Sequence, residues 1–148
     1  MSNDLINKVA YITGGTKGIG YGIAKILLDH GMKVAFTSRS LSSAKQAAAS
    51  LTNDSSKVLA LESQVSSLDA ETKAVKATID HFGQLDVLIA NAGVGHFAPI
   101  DQLSPEDWKD TIDTNLTGVF NRVKASLDAL KQSKGYIITI ASLAGTNF

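Results

Sequence analysis

Short apolar runs alternate along the chain with longer segments whose apolar residues recur every three or four positions, and this alternation restricts the fold more than any other feature. The runs have the length of buried strands, whereas the intervening segments are long enough for several helical turns. The predicted strands cover residues 9–12, 33–38, 58–61, 86–90 and 135–140. The predicted helices cover residues 18–30, 41–51, 66–82 and 104–131.

Continuous apolar strands that alternate with helices are typical of parallel sheets with helices on both faces. Right-handed crossovers between successive strands then predict an α/β fold, a doubly wound parallel sheet of five strands in the order 3-2-1-4-5. No repeat or linker interrupts the pattern, so residues 1–148 are expected to form a single domain. The last helix should begin after Ser104, because Ser104-Pro105-Glu106-Asp107 has the sequence of a helix N-terminus.

Composition excludes several classes of function. Lys plus Arg and Asp plus Glu both number 14, so a net charge of zero gives no electrostatic reason to expect nucleic acid or a membrane surface as a partner. The chain has no cysteine and three dispersed histidines, which predicts no disulfide, no thiolate chemistry and no transition-metal site. No apolar run approaches the roughly 20 residues that span a bilayer. No signal peptide is recognisable, so the cytoplasm is the expected location.

A glycine-rich segment, Thr13-Gly14-Gly15-Thr16-Lys17-Gly18-Ile19-Gly20, follows the first predicted strand and opens the first predicted helix. Glycines allow a tight turn and a close approach of the backbone to a pyrophosphate, and the helix N-terminus presents free N–H groups to the phosphates. The alternative is a glycine-rich turn with no ligand. A nucleoside-triphosphate loop fits poorly, because no Gly-Lys-Ser/Thr stands at the required spacing.

The spacing Thr-Gly-x-x-x-Gly-x-Gly and three later motifs resemble those of the short-chain dehydrogenase/reductase family. Asn91-Ala92-Gly93 follows the fourth strand, Asn115 lies in the long helix within Thr-Asn-Leu-Thr-Gly, and Ser142 follows the fifth strand. This resemblance covers essentially the whole chain. It implies a Rossmann fold and hydride transfer between nicotinamide and a carbonyl or secondary alcohol, as in the 3-oxoacyl-thioester reductases of the family.

The resemblance also implies a role for each matching residue. Ser142 would position the substrate oxygen and Asn115 would hold a water molecule in a proton relay. The expected cofactor-binding residues are Gly14, Thr16, Lys17, Gly18, Ile19, Gly20, Ser38, Arg39, Gln64, Val65, Asn91, Ala92 and Gly93. Structural alternatives exist for both catalytic candidates. Asn115 lies close to the apolar stripe and could bond the backbone and kink the helix, and the Ser142 hydroxyl could close a strand end.

NADP(H) is the expected cofactor. A carboxylate after the second strand would accept hydrogen bonds from the ribose of NAD, but Ser38-Arg39 stands there. A guanidinium beside a hydroxyl suits a 2'-phosphate, and Lys17 would add a second positive charge. The alternative for Arg39 is a solvated surface charge. Gln64 stands where the family usually has an aspartate that bonds adenine, so its side-chain carbonyl would accept that bond without charge.

The chain ends at Phe148, before the tyrosine that gives the proton in the family and the lysine that lowers the pKa of that tyrosine and binds the ribose. It therefore matches the N-terminal portion of the family domain. One interpretation is a longer parent enzyme, which Ser142 favours because it retains a catalytic identity. A second is a non-catalytic NADP(H)-binding module or regulatory paralogue, and a third is a partner-binding protein that uses the sheet edge. The resemblance implies a small carbonyl or alcohol substrate and a homodimer or homotetramer when complete.

Overall fold

Five parallel strands form one sheet in a computed structural model that describes residues 3–142. The strands are β1 (Val9–Thr13), β2 (Lys33–Ser38), β3 (Val58–Glu62), β4 (Val87–Ala90) and β5 (Tyr136–Thr139). Their order across the sheet is β3-β2-β1-β4-β5, and all four pairings are parallel. The predicted doubly wound α/β sheet, a Rossmann fold, is confirmed.

Helices connect the strands and cover both faces of the sheet. They are α1 (Gly18–Asp29), α2 (Leu41–Leu51), α3 (Leu68–Phe82), α4 (Pro105–Ile112) and α5 (Gly118–Ser133), with a short 3-10 turn at Asn3–Leu5. Tyr11 of β1 packs in one buried cluster with residues of α3 and α5, whereas the adjacent Ile12 packs in a second cluster with residues of α1 and α2. Successive strand residues point to opposite faces, so β1 separates two apolar layers.

Two predicted helix N-termini can be compared with observed caps. The Ser104 side chain accepts a hydrogen bond from the Asp107 backbone N–H at 3.0 Å, with Pro105 as the first helical residue, as predicted. The prediction that the third helix starts at Ser66 is wrong by two positions. The Ser67 side chain accepts a bond from the Ala70 N–H at 3.2 Å, so Ser67 is the cap and α3 starts at Leu68.

The prediction of one continuous helix over residues 104–131 is also wrong in its middle. A π-helical turn, Asp113–Thr117, separates α4 from α5. The apolar periodicity continues through this turn, which is why the pattern did not reveal it. Such turns widen the helix by one residue and are frequent at functional sites, and here the turn contains Asn115.

The strand β5 differs from β1 in burial. Every residue of β1 is buried, whereas all four residues of β5 are exposed, with Tyr136 at 73% and Ile138 at 47%. In the part of the chain that the structure describes, β5 pairs with β4 alone. The apolar residues of β5 are thus exposed at this edge of the described sheet, whereas those of the central strand β1 are buried.

Candidate functional site

The glycine-rich loop and the segment Asn91-Ala92-Gly93 meet at the carboxyl ends of β1 and β4. The Asn91 side-chain amide donates to the backbone carbonyls of Thr13 at 2.9 Å and Gly14 at 3.1 Å. In return, the Thr13 hydroxyl oxygen accepts the backbone N–H groups of Asn91 and Ala92 at 3.2 and 3.1 Å. Two motifs that are 78 positions apart in sequence are thus one hydrogen-bonded unit.

Gly14 and Gly20 are among the positions in this unit that require glycine. Gly14 has a φ of +69°, a conformation that L side chains rarely adopt, and a Cβ there would lie 3.1 Å from Ala92 Cα. A Cβ on Gly20 would lie 2.5 Å from Asn91 Nδ2 and closer still to the Gly14 carbonyl oxygen. By contrast, a Cβ on Gly22 would meet nothing within 4 Å. The packing of the loop against α1 and Asn91 therefore depends on Gly14 and Gly20.

The N-terminus of α1 opens directly from this loop. Lys17 is its N-cap residue, has extended backbone angles, and no side chain caps the helix. Lys17, Gly18 and Ile19 are exposed and Thr16 is partly buried. An uncapped helix start of this kind has backbone N–H groups available for an anion such as a phosphate.

The other predicted cofactor residues follow the neighbouring strands β2 and β3. Ser38 ends β2 and accepts a hydrogen bond from the Ser40 N–H at 3.3 Å, while Arg39 is exposed. Gln64 is exposed after β3, and Val65 is 9% exposed. Ser38 and Glu62 are register partners, so these residues lie at the same edge of the sheet as the glycine-rich loop.

Asn115 joins the π-helical turn to the loop after β4. Its Oδ1 accepts the Val94 backbone N–H at 2.9 Å, and its Nδ2 donates to the Val94 carbonyl at 2.7 Å. A Cβ on Gly93 would lie 3.2 Å from Asn115 Oδ1. The Asn115 side chain therefore bonds the Val94 backbone, as expected if its role is structural. This contact lies beside the predicted cofactor segment Asn91-Ala92-Gly93. The proton-relay role stays a prediction.

Ser142 follows β5 at the carboxyl edge of the sheet and is exposed. The strand before it is the neighbour of β4, which carries Asn91-Ala92-Gly93 at its end. Residues 143–148, which complete the motif around Ser142, lie outside the described residues. The placement of Ser142 near the cofactor edge fits a role in the site, and that role stays a prediction.

Comparison with known families agrees with this geometry. The family profile described as short chain dehydrogenase matches residues 8–148. The chain belongs to the short-chain dehydrogenase family. It is 35% identical over 147 residues to the 3-oxoacyl-[acyl-carrier-protein] reductase of Chlamydia muridarum, covering 98% of this chain and 59% of that protein. It is 38% identical over 143 residues to the corresponding reductase of Synechocystis, covering 95% of this chain and 58% of that one.

Solved structures give the same result. An alcohol dehydrogenase from the archaeon Thermococcus sibiricus, complexed with 5-hydroxy-NADP, matches with a TM-score of 0.90 and 34% identity over 95% of this chain and 60% of that one. A 3-ketoacyl-(acyl-carrier-protein) reductase from Brucella melitensis, complexed with NADH, matches with a TM-score of 0.88 and 28% identity over 96% and 60%. The chain spans about three-fifths of the length of these relatives.

Beneath the glycine-rich loop lies a buried polar network that the sequence did not predict. Arg122 of α5 is fully buried and donates to the Thr13 hydroxyl at 2.7 Å. Glu71 of α3 is also fully buried and accepts hydrogen bonds from the Tyr11 hydroxyl at 3.1 Å and the Ser63 hydroxyl at 2.5 Å. Burial raises the pKa of Glu71, lowers the pKa of Arg122, and, with Glu71, raises the pKa of Tyr11 well above its ordinary value.

A sequence signal for these two charges did exist. Glu71 shares the inward stripe of α3 with the buried Ala74, Val75 and Thr78, at helical spacing. Arg122 stands four residues from both Gly118 and Ser126, which are buried and small. A charge on an inward stripe, flanked by small residues that leave it space, indicates a buried charge with polar partners.

Neither a metal-binding cluster nor a membrane-spanning helix is found in the part of the chain that the structure describes. Among residues 3–142, no three His, Asp or Glu side chains are grouped so that they could hold a metal ion. Over the same residues, no helix is long and apolar enough to cross a membrane.

Proposed function

We propose that the chain is the dinucleotide-binding part of an NADP(H)-dependent oxidoreductase that transfers a hydride between nicotinamide and a carbonyl or secondary alcohol. The observation that carries the proposal is the packing of the glycine-rich loop against Asn91, with positions 14 and 20 restricted to glycine. The 5-hydroxy-NADP and the NADH in the two similar structures support it. Two relatives are 3-oxoacyl-[acyl-carrier-protein] reductases, which favours a 3-oxoacyl thioester as the substrate.

The chain's residues fit a dinucleotide. The absence of side chains at Gly14 and Gly20 lets the loop backbone pack closely against Asn91 and Ala92, and α1 starts without a side-chain cap. Thr16, Gly18 and Ile19 line the start of that helix, where backbone N–H groups would bind a pyrophosphate. Val65, Asn91, Ala92 and Gly93 would line the rest of the cleft along the sheet edge.

Preference for NADP(H) over NAD(H) rests on charge. Arg39 and Lys17 are exposed cations that flank the expected ribose position, and Ser38 offers a hydroxyl instead of a carboxylate. A 2'-phosphate would gain charge-assisted hydrogen bonds from such groups. Gln64 would accept a bond from the adenine amino group through its side-chain carbonyl.

The bound nicotinamide supplies or accepts the hydride. Ser142 would hold the reacting oxygen by a hydrogen bond from its hydroxyl and so polarise the carbonyl. Both polar groups of the Asn115 side chain already bond Val94, so a relay water would be held by the second lone pair of Oδ1 or by the Asn115 backbone carbonyl.

The proton donor is not among the three tyrosines of the chain. Tyr21 and Lys25 have the Tyr-x-x-x-Lys spacing of the family, but the Tyr21 hydroxyl bonds Ser50 Oγ at 3.0 Å. Tyr21 packs on the α1/α2 face of the sheet, opposite to α5. We therefore propose that the 148 residues alone bind NADP(H) without turnover, and that the activity belongs to a protein that also supplies the tyrosine and lysine.

A homodimer or homotetramer is proposed for that complete protein. The long helical segment exposes large apolar residues, with Leu116 at 65% and Phe120 at 60%, and such a surface fits an interface between subunits.

The test uses the complete gene product. Titration with NADPH and NADH gives the dissociation constants, and turnover is followed with a 3-oxoacyl thioester. We expect saturable NADPH binding and turnover that Ser142→Ala abolishes, while Ser56→Ala, which changes a serine in a surface turn at the opposite edge, preserves it. Binding without turnover would favour the non-catalytic module, and folded protein that binds neither nucleotide would favour the partner-binding alternative.

A further inference from the structure

The buried guanidinium of Arg122 is fully hydrogen-bonded. Its Nε donates to the Gly118 carbonyl at 2.8 Å and its Nη1 to the Thr13 hydroxyl at 2.7 Å. The Ala92 carbonyl accepts from both terminal nitrogens, at 3.3 and 3.2 Å, and the Thr114 carbonyl accepts from Nη2 at 3.2 Å. An arginine has five N–H groups, so every donor has a partner.

These partners belong to different segments of the site. Thr13 starts the glycine-rich loop, Ala92 belongs to the segment after β4, Thr114 lies in the π-helical turn beside Asn115, and Gly118 starts α5. The planar fork of an arginine fixes the directions of its bonds, whereas a lysine would provide one rotatable ammonium. One buried side chain therefore bonds to the glycine-rich loop, to the segment after β4 and to the π-helical turn, and sets their relative positions.

The charge of Arg122 has a buried counter-charge on the same face of the sheet. Glu71 is coupled to it electrostatically, and the carboxylate is held by Tyr11 and Ser63. A space-filling apolar residue would often be as stable as a buried ion at such a place. Stability alone therefore does not account for an arginine here, whereas the geometry of its bonds does.

We propose that Arg122 is a positioning residue of the dinucleotide site: its guanidinium holds the glycine-rich loop, the segment after β4 and the π-helical turn in the arrangement that binds NADP(H). The inference rests on the proposed function. Arg122 touches no nucleotide atom in this role and acts through Thr13 and Ala92.

The test compares three variants of the complete gene product. Arg122→Lys keeps the charge and loses the fork. The double variant Arg122→Met with Glu71→Gln removes both buried charges together, so no unpaired ion is left and folding is preserved. Val75→Ala, a buried core position of α3 whose side chain makes no hydrogen bond, is the control that lowers stability without removing a group of the network. Thermal unfolding, the NADPH dissociation constant, KM and kcat, and amide hydrogen exchange are measured for each.

We expect the NADPH dissociation constant and KM to rise about 10- to 100-fold in Arg122→Lys and in the double variant, because small displacements of positioning groups have effects of that size. Val75→Ala should lose thermal stability and keep its affinity. The amides of residues 14–18 and 92–95 should exchange faster in both Arg122 variants, with or without nucleotide.

Native affinity and native exchange in either folded Arg122 variant would overturn the inference. If the unaltered protein binds no NADPH, the proposed function fails, but the hydrogen-exchange comparison still decides whether Arg122 holds the three segments together.

Discussion

Asn115 and Val94 are joined by two hydrogen bonds, one in each direction, across the gap between the π-helical turn and the loop after β4. The side-chain amide replaces the pairing that a neighbouring strand would provide to the Val94 backbone. Gly93 is so close to this pair that a Cβ placed on it would lie 3.2 Å from Asn115 Oδ1. The position of the predicted cofactor segment is therefore coupled to a helix 21 positions away.

Replacement of Asn115 by leucine removes both bonds and keeps a similar volume. A hydrogen bond contributes about 1 kcal/mol net, so the Val94 amide should exchange with solvent about fivefold faster or more. Turnover should fall as well, since the loop borders the site. Asn53→Leu in the surface turn before β3 is the control and should leave both unchanged. Unaltered exchange at Val94 would show that the loop is held by other contacts.

The glycine restriction gives a sharp comparison within one helix. Gly20→Ala places a Cβ against Asn91 Nδ2 and the Gly14 carbonyl, and it should separate the loop from Asn91 and weaken NADPH binding at least tenfold. Gly22→Ala has open space and should keep the affinity, and it should stabilise α1 by up to about 1 kcal/mol through helix propensity. Equal effects of the two substitutions on binding would contradict the assignment.

The sheet could be predicted because its determinants are local. Each strand is a short apolar run, each helix has its own periodicity, and the crossover rule then fixes the order. The glycine-rich loop was predictable for the same reason, since Gly14 and Gly20 lie within a few residues of the strand and helix that they connect. The start of α3 was predicted at the wrong serine, because Ser66 and Ser67 are adjacent and either could cap the helix. The structure shows that Ser67 is the cap.

The interior of the site could not be predicted, because its contacts are distant in sequence. Arg122 and Thr13 are 109 positions apart, and Tyr11 and Glu71 are 60 apart. The π-helical turn leaves the apolar spacing of α4 and α5 continuous, so periodicity gives no sign of it. The sequence allowed two interpretations of Asn115, a structural bond to the backbone and a role in a proton relay. The observed bonds to Val94 are those of the structural interpretation, and they lie beside the predicted cofactor segment. The relay role stays a prediction.

Cofactor preference should depend on Arg39. Arg39→Asp exchanges attraction for repulsion at a 2'-phosphate, so the NADPH dissociation constant should rise tenfold or more, equivalent to about 1.4 kcal/mol. The NADH constant should change much less. Lys57→Asp, at the amino end of β3, reverses a charge on the opposite edge of the sheet and is the matched control. An equal loss of affinity for both cofactors would remove Arg39 from the 2'-phosphate site.

The loop after β4 also contacts α4 through His96. Its Nε2 lies 2.8 Å from Asp110 Oδ2 and its Nδ1 lies 3.2 Å from Asp107 Oδ1. The hydrogen bond to His96 is the main cause that lowers the pKa of Asp110 below 3.8, and the charge of Arg39 contributes least. Carboxyl titration by NMR should therefore show a larger rise in the Asp110 pKa in His96→Ala than in Arg39→Gln. The reverse order would mean that His96 does not hold the loop on α4.

The buried Glu71 carboxyl should make stability fall as pH rises. Burial raises its pKa above the ordinary 4.5, so the folded protein binds this proton more tightly than the unfolded chain does. The stabilisation is complete below 4.5 and is lost as the pH increases through the raised folded-state pKa. Glutamine at this position still accepts a hydrogen bond through its side-chain carbonyl and has no proton to lose.

Urea unfolding of the native protein and of Glu71→Gln, at several pH values from 4.5 upward, measures this effect. The free energy of unfolding of the native protein, relative to that of Glu71→Gln, should decrease over this range and become constant once Glu71 is ionised. Glu106→Gln, which removes an exposed carboxyl from α4, controls for the loss of one negative charge. A difference that is constant with pH would mean that Arg122, Tyr11 and Ser63 offset the burial of the carboxylate completely.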